Sequence, residues 1–118
     1  MKRVMIFDDD RDILELCSII LREQGFSTIT ETDSKEVIEK VSKGEPDVIL
    51  MDNWIPGLGG IEATQLIKEN EATKNIPVIF FSANNNIQDI AREAHADHFL
   101  QKPFDINALG DIINKALS

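Results

Sequence analysis

Short apolar runs alternate with amphipathic stretches five times along this chain. We interpret the runs as strands at Val4–Phe7, Phe26–Thr30, Val48–Met51, Val78–Phe81 and His98–Leu100. The third and fourth runs are apolar at every position, which is typical of strands covered on both faces. Repeated alternation of strand and helix predicts an α/β fold in which a parallel sheet lies between two layers of helices, as one domain over residues 1–118.

The first amphipathic stretch predicts a helix from about Asp10 to Gln24. Its apolar residues recur at intervals of three and four, which is the helical period. They are expected to form one buried face made of Ile13, Leu16, Cys17, Ile20 and Leu21. Gly25 follows the helix and is expected to end it with positive φ.

The boundaries of the other helices rest on capping signals. Asp33 and Glu36 form a capping-box-like start for the second helix, and Gly44 with Pro46 closes it. The remaining helices are expected at about Ile61–Glu69, at Ile87–Ala94 and after Asp105, which is placed to cap the last one.

Composition narrows the class of protein. The chain has 118 residues, 42% of them apolar, and a formal net charge of −9, which disfavours binding to nucleic acid or to an anionic membrane. No apolar run approaches the ~18 residues that span a bilayer. Lys2 and Arg3 precede a run too short for a signal peptide, so we expect a cytoplasmic protein. The single cysteine, Cys17, is expected to be buried rather than reactive.

Side chains capable of chemistry stand where the apolar runs end: Asp8 and Asp9 after the first, Asp52 after the third, Ser82 after the fourth and Lys102 after the fifth. The carboxyl ends of parallel strands share one edge of the sheet, and ligands bind there. Three carboxylates in one small volume need a cation to stay ionised together. Carboxylate oxygens suit Mg²⁺, which also bridges to phosphate. The pattern therefore predicts a Mg²⁺ site around an aspartate that could carry a phosphoryl group.

The whole chain resembles the receiver domain of two-component response regulators. The segments that carry this resemblance are VMIFDDDRDIL at the first strand, DVILMDNWIPGLGG at the third, VIFFSA at the fourth and FLQKPF at the fifth. The resemblance implies a flavodoxin-like, doubly wound fold with five parallel strands in the order 2-1-3-4-5. It also implies a signalling switch whose only reactions are its own phosphorylation and dephosphorylation.

The resemblance assigns roles to the residues at the strand ends. Asp52 is expected to accept a phosphoryl group from phosphohistidine on a sensor histidine kinase or a phosphotransfer protein. Asp8 and Asp9 are expected to bind Mg²⁺ together with Asp52 and the backbone carbonyl of Trp54, with Asp9 the more direct ligand and Asp8 partly through water.

The resemblance also implies how phosphorylation is sensed. Lys102, aimed by a cis bond to Pro103, is expected to pair with Asp52 and then with a phosphoryl oxygen, while Ser82 bonds another oxygen. Ser82 and Phe99 are the expected switch pair, unless Phe99 is only a half-buried strand aromatic. The fourth helix, fifth strand and fifth helix are the expected surface for a downstream target protein. We expect a monomer or a weak, phosphorylation-dependent dimer.

Three residues depart from the family pattern. His95 stands where many receivers have a glycine after the fourth helix, at a position that often needs positive φ, which histidine tolerates. His98 replaces a small residue, and a metal site made of His95 and His98 lacks a third ligand. Trp54 is either a shield of the phosphoryl group against water, a partner contact or an exposed loop aromatic.

Two other functions compete with the signalling switch. A phosphohydrolase of the haloacid dehalogenase type also uses an aspartyl phosphate and Mg²⁺, and Asp8 with Asp10 fits its first motif. That superfamily expects Thr or Val where this chain has Asp12, and the chain is short for a catalytic core plus a cap. A phosphorylation-independent scaffold of the same fold is disfavoured by the five matched site residues. The residues leave open whether the domain acts alone or belongs to a longer protein.

Overall fold

Five strands and five helices alternate strictly in the computed structural model, which describes residues 1–118. The strands are Arg3–Phe7 (β1), Ser27–Glu31 (β2), Val48–Asp52 (β3), Val78–Ser82 (β4) and His98–Gln101 (β5). The helices are Arg11–Glu23 (α1), Val37–Gly44 (α2), Gly60–Glu69 (α3), Ile87–Ala94 (α4) and Ile106–Leu117 (α5). All neighbouring strands pair in parallel in the order β2-β1-β3-β4-β5, so the predicted α/β fold and strand order are confirmed.

Alternate side chains of the central strands enter two separate apolar clusters, one on each face of the sheet. Met5 and Phe7 pack with residues of α2, α3 and α4, whereas Val4 and Ile6 pack with residues of α1 and α5. Every residue of β3 and β4 is buried. Two covered faces explain why these strands are apolar at every position, as the sequence predicted.

The buried face of α1 differs in part from the predicted one. Leu14 is buried, whereas Leu16, predicted to be buried, is 49% exposed. The apolar residues of α1 cover more than half of its circumference, so the spacing alone does not select the side that faces the sheet. Cys17 is buried as predicted, and burial, with a smaller contribution from the Asp8 carboxylate, raises the pKa of its thiol to about 11. A thiol with this pKa is unreactive at neutral pH.

The predicted capping box of α2 is wrong. Glu36 adopts the left-handed conformation, with φ of 52°, and makes no side-chain cap. The Asp33 carboxylate instead accepts a hydrogen bond from the Lys35 amide and pairs with Lys40, whose Nζ lies 2.6 Å from Oδ1. The Asp33 carboxylate, which the sequence pattern assigned to the start of the helix, therefore bonds to Lys40 and to the Lys35 amide instead. Helix α2 begins one residue after Glu36, at Val37.

Other predicted boundaries are confirmed. Gly25 has φ of 93° after α1, and His95 ends α4 with φ of 65°. The Asp105 carboxylate accepts a hydrogen bond from the Ala108 amide at the start of α5. None of the helices combines the length and the apolarity that crossing a membrane requires.

Candidate functional site

The carboxyl edge of the sheet gathers the polar side chains that the sequence predicted to meet. Asp8 and Asp9 follow β1 directly, Asp52 ends β3, and Asp52 pairs in register with Phe81, the residue before Ser82. Asp8 and Asp52 are only 1% and 5% exposed, whereas Asp9 is exposed. One carboxylate oxygen from each of the three aspartates lies within 4.8 Å of the others.

Lys102 links the two buried aspartates. Its Nζ donates to Asp8 Oδ2 and to Asp52 Oδ1, each at 2.8 Å. The bond between Lys102 and Pro103 is cis, as predicted. The ammonium also lies 4.5 Å from the centre of the Phe81 ring, a distance typical of a cation–π contact. The charge of Lys102 is therefore held by two carboxylates and one aromatic face.

The ionisation of this cluster is set by burial and by its excess of negative charge. Burial raises the pKa of Asp52 above its ordinary value; the Lys102 hydrogen bond opposes this shift, and the charges of Asp8 and Asp9 add to it. Burial alone would lower the pKa of Lys102, but its hydrogen bonds to Asp52 and Asp8 outweigh burial, so this pKa is raised. Lys102 therefore remains an ammonium at neutral pH.

The donor set fits Mg²⁺. One ammonium does not balance three clustered carboxylates, and the oxygens of the cluster are hard ligands of the kind that Mg²⁺ prefers. His95 and His98 belong to no group of three or more possible metal ligands, so a metal site at these two histidines gains no support.

The β3–α3 loop, residues 53–59, folds back tightly on Asp52. The Trp54 amide donates to Asp52 Oδ2 at 3.2 Å, and the Gly60 amide donates to the Asn53 carbonyl oxygen at 3.0 Å. A Cβ atom on Gly60 would collide with the Asp52 carbonyl oxygen, so this turn requires glycine. The Trp54 side chain is 77% exposed.

Ser82 and Phe99 lie on adjacent strands but differ in exposure. Ser82 is 3% exposed, and its Oγ accepts a hydrogen bond from the Asn84 amide at 3.1 Å. Its carbonyl oxygen accepts one from the Lys102 amide at 2.8 Å, which joins the ends of β4 and β5. Phe99 is 41% exposed on β5 and pairs in register with Phe80. One member of the predicted switch pair is thus at the site and the other is at the surface.

Two contributions to the site were missed by the sequence analysis. Phe81 was read only as a core residue, yet its ring faces the Lys102 ammonium. Ser34 was not considered at all, although it is fully buried and hydrogen-bonds to Pro56 and Leu58 of the β3–α3 loop. No local pattern marks Ser34, because its partners lie 22 and 24 residues away in the sequence.

Comparisons with known proteins agree with this geometry. Residues 4–114 match the family model described as the response regulator receiver domain. The CAI-1 autoinducer sensor kinase/phosphatase CqsS of Vibrio cholerae is 32% identical over 111 residues, which make up 92% of this chain and 16% of CqsS. The DNA-binding response regulator MtrA of Mycobacterium tuberculosis is 30% identical over 105 residues, 87% of this chain and 45% of MtrA.

A solved structure shows the same arrangement of elements. The receiver domain of NtrX from Brucella abortus superposes with a TM-score of 0.86 at 28% identity, and the match covers 97% of each chain. The chain spans less than half the length of the two sequence relatives, whereas it matches nearly all of this isolated domain.

Proposed function

The chain belongs to the response regulator receiver domain family, and on this premise we propose that it is a switch that is phosphorylated on Asp52. The single observation that carries this proposal is the position of Lys102, whose ammonium bonds Asp52 and Asp8 at 2.8 Å within a cluster of three carboxylates. An aspartate used only for structure needs no such surplus of charge beside it. We further propose that residues 1–118 form one receiver domain, and that it works in the cytoplasm.

The proposed reaction is transfer of a phosphoryl group from phosphohistidine on a sensor histidine kinase or a phosphotransfer protein. A carboxylate oxygen of Asp52 attacks phosphorus, a P–O bond forms, and the P–N bond breaks with its electron pair leaving on the imidazole. This chemistry depends on positioning and on neutralisation of charge rather than on further covalent help. Lys102 would turn from the Asp52 carboxylate to a phosphoryl oxygen, and the Ser82 hydroxyl would donate a hydrogen bond to another phosphoryl oxygen.

Asp8, Asp9, Asp52 and the backbone carbonyl of Trp54 are the proposed Mg²⁺ ligands. When bound, the ion would supply positive charge to the phosphoryl oxygens and would keep Asp52 ionised. The raised pKa of Asp52 supports a need for this charge, because burial and its acidic neighbours disfavour the carboxylate form. Autodephosphorylation by water at the same site would return the switch to its starting state.

The proposed output is a change in packing at α4, β5 and α5, the surface expected to bind a downstream target protein. Ser82 begins with its Oγ bonded to the Asn84 amide, and Phe99 begins 41% exposed; on phosphorylation the hydroxyl would shift toward the phosphoryl group and the ring would turn inward. We propose no direct contact of this domain with nucleic acid, because its net charge is −9. A monomer or a weak dimer formed on phosphorylation is part of the same proposal.

The phosphohydrolase alternative receives no support from Asp10. Its carboxylate accepts hydrogen bonds from the Asp12 and Ile13 amides and thereby caps α1. In a phosphohydrolase of the haloacid dehalogenase type, this aspartate would be needed as the acid and base beside the nucleophile. We therefore favour a switch over a turnover enzyme.

Intact-mass measurement after incubation with acetyl phosphate and Mg²⁺ tests the proposed site. We expect one phosphoryl group on the wild type and none on the Asp52→Asn variant or on the wild type in excess EDTA. Equal labelling of Asp52→Asn would show that the acceptor is another residue. Sustained turnover of p-nitrophenyl phosphate by the wild type would instead favour the phosphohydrolase.

A further inference from the structure

Ser34 lies in the β2–α2 loop and is bound entirely to the β3–α3 loop. It is 0% exposed. Its amide donates to the Pro56 carbonyl oxygen at 2.9 Å, and its hydroxyl donates to the same oxygen at 3.1 Å. The hydroxyl oxygen accepts a hydrogen bond from the Leu58 amide at 2.7 Å. The hydroxyl group therefore acts both as donor and as acceptor toward residues 56–58 of the β3–α3 loop.

No other residue outside β3 and α3 makes a hydrogen bond to residues 53–59. The remaining bonds of this loop are local: the Trp54 amide donates to Asp52, the Gly60 amide to Asn53 and the Ala63 amide to Gly59. Gly57 has φ of 104°, and a Cβ atom there would lie 2.8 Å from Ser34 Oγ. The two loops are therefore in close contact around the serine hydroxyl.

The segment that carries Ser34 is itself fixed at several points. Asp33, its neighbour, is held by Lys40 through a contact of 2.6 Å. Glu31 ends β2, and its carbonyl oxygen accepts a hydrogen bond from the Asp8 amide at 3.1 Å. The end of β2 therefore contacts the Asp8 backbone, and the β2–α2 loop that follows it contacts the loop after Asp52.

We propose that Ser34 is a positioning residue that fixes the β3–α3 loop and, through it, the Trp54 carbonyl at the metal site. Trp54 lies two residues before Pro56, and the Ser34 hydroxyl takes part in two of the three hydrogen bonds that reach this loop from outside β3 and α3. Loss of the hydroxyl leaves only the bond from the Ser34 amide to Pro56, so the segment that carries the Trp54 carbonyl is held less firmly. A ligand that must be ordered when the ion binds contributes less to affinity than one already in place. The inference rests on the proposed function, since it assumes that Mg²⁺ binds beside Asp52.

The test is calorimetric titration of MgCl₂ into metal-free wild type and Ser34→Ala, at a temperature where circular dichroism shows both to be folded. We expect the Kd for Mg²⁺ to rise about tenfold, the lower end of the effect seen when groups that orient metal ligands are removed. The matched control is Thr73→Val. Thr73 is 1% exposed, and its hydroxyl donates to the Ile67 carbonyl oxygen at 2.7 Å, at the opposite edge of the sheet.

The control separates positioning from stability. Thr73→Val should lower the melting temperature as Ser34→Ala does, but it should keep the wild-type Kd for Mg²⁺. A wild-type Kd in Ser34→Ala, or an equal rise of Kd in both variants, would overturn the inference. Gly57→Ala disturbs the same contact from the exposed loop side and keeps the hydroxyl. It should also weaken binding, and it takes the place of Ser34→Ala if that variant does not fold.

The outcome also separates this inference from the proposed function. Asp9→Ala, which removes a proposed ligand, should lose Mg²⁺ binding altogether. If the wild type binds no Mg²⁺, the proposed metal site is wrong and the positioning role falls with it. If the wild type binds and Asp9→Ala does not, while Ser34→Ala binds as the wild type does, only the role of Ser34 is refuted.

Discussion

Lys102 supplies the positive charge of the site, but its single ammonium cannot neutralise three carboxylates. Its ammonium bonds Asp8 and Asp52, while the exposed Asp9 completes the acidic group. Arginine would not replace it simply, because a planar guanidinium does not occupy the compact position of an ammonium between two oxygens. The Phe81 ring is a third contact of the ammonium, so the lysine is already held in place by three groups.

Trp54 should influence the lifetime of the phosphoryl group. Its amide donates to Asp52 Oδ2 and its indole is 77% exposed, so we hypothesise that its bulk hinders the attack of water on an acyl phosphate at Asp52. Trp54→Ala should then speed autodephosphorylation by up to about tenfold, equivalent to about 1.4 kcal/mol of barrier. The measurement is the decay of the phosphorylated forms in the same buffer.

The comparison needs a control for loss of exposed apolar surface in general. Leu16 is 49% exposed on α1 and is not part of the site. The phosphorylated Leu16→Ala variant should therefore lose its phosphoryl group at the wild-type rate. Decay of Trp54→Ala that is no faster than the wild type would reject shielding and leave Trp54 as a partner contact or an incidental loop residue.

The positions of side chains at strand ends were predictable, whereas contacts between distant loops were not. Asp8, Asp52 and Ser82 could be found because a polar residue after an apolar run marks the carboxyl edge of the sheet. The contact of Ser34 with Pro56 depends on how two loops meet in three dimensions, which no local pattern encodes.

At the scale of elements, α2 is enclosed by two strained residues. Glu36 precedes it with φ of 52°, and Glu45 follows it with φ of 48°. The left-handed conformation costs a residue with a Cβ atom about 1–2 kcal/mol, whereas glycine adopts it freely. The short α2 therefore carries a local penalty at each end, offset by the burial of Val37 and Val41.

Glu45→Gly should raise the free energy of unfolding by about 0.5–1 kcal/mol, because relief of the left-handed strain exceeds the added entropy of the unfolded chain. Urea denaturation measures this change. The same substitution at Glu39, an exposed position inside α2, should lower the free energy of unfolding by about 1 kcal/mol. A loss of stability in both variants would mean that Glu45 gains more from its contacts than it loses to strain.

The elements also show where sequence patterns stop being informative. The strands were predicted to within a residue or so, because most of the short apolar runs are bounded by polar residues or proline that mark their ends. The buried side of α1 was predicted only in part, since Leu14 and Leu16 are equally apolar and only contact with the sheet separates them. The start of α2 was misassigned because Lys40 competes for the Asp33 carboxylate.

For the molecule as a whole, a net charge of −9 on a chain of 118 residues opposes the compact state. In EDTA near pH 7, raising NaCl from about 0.01 M to about 0.1 M shortens the screening length from roughly 30 Å to roughly 10 Å. We expect the free energy of unfolding, measured with urea, to rise over this range. Near the isoelectric point of about 4.6 the same salt step should have little effect. A decrease with salt at pH 7 would mean that ion pairs such as Lys102 with Asp8 outweigh the repulsion.

The uniform apolarity of β3 and β4 leaves the alignment of the sheet to other residues. Both faces of β3 accept apolar side chains, so hydrophobicity alone does not distinguish the native register from one shifted by a residue. A shift that placed Asp52 where Met51 lies would bury a carboxylate inside an apolar cluster, away from Lys102, at a cost of several kcal/mol. A shift of β1 or β4 by one residue would likewise move Asp8 or Ser82 from the edge of the sheet into an apolar cluster. The residues proposed to carry the signal therefore also specify, during folding, which pairing of the central strands is correct.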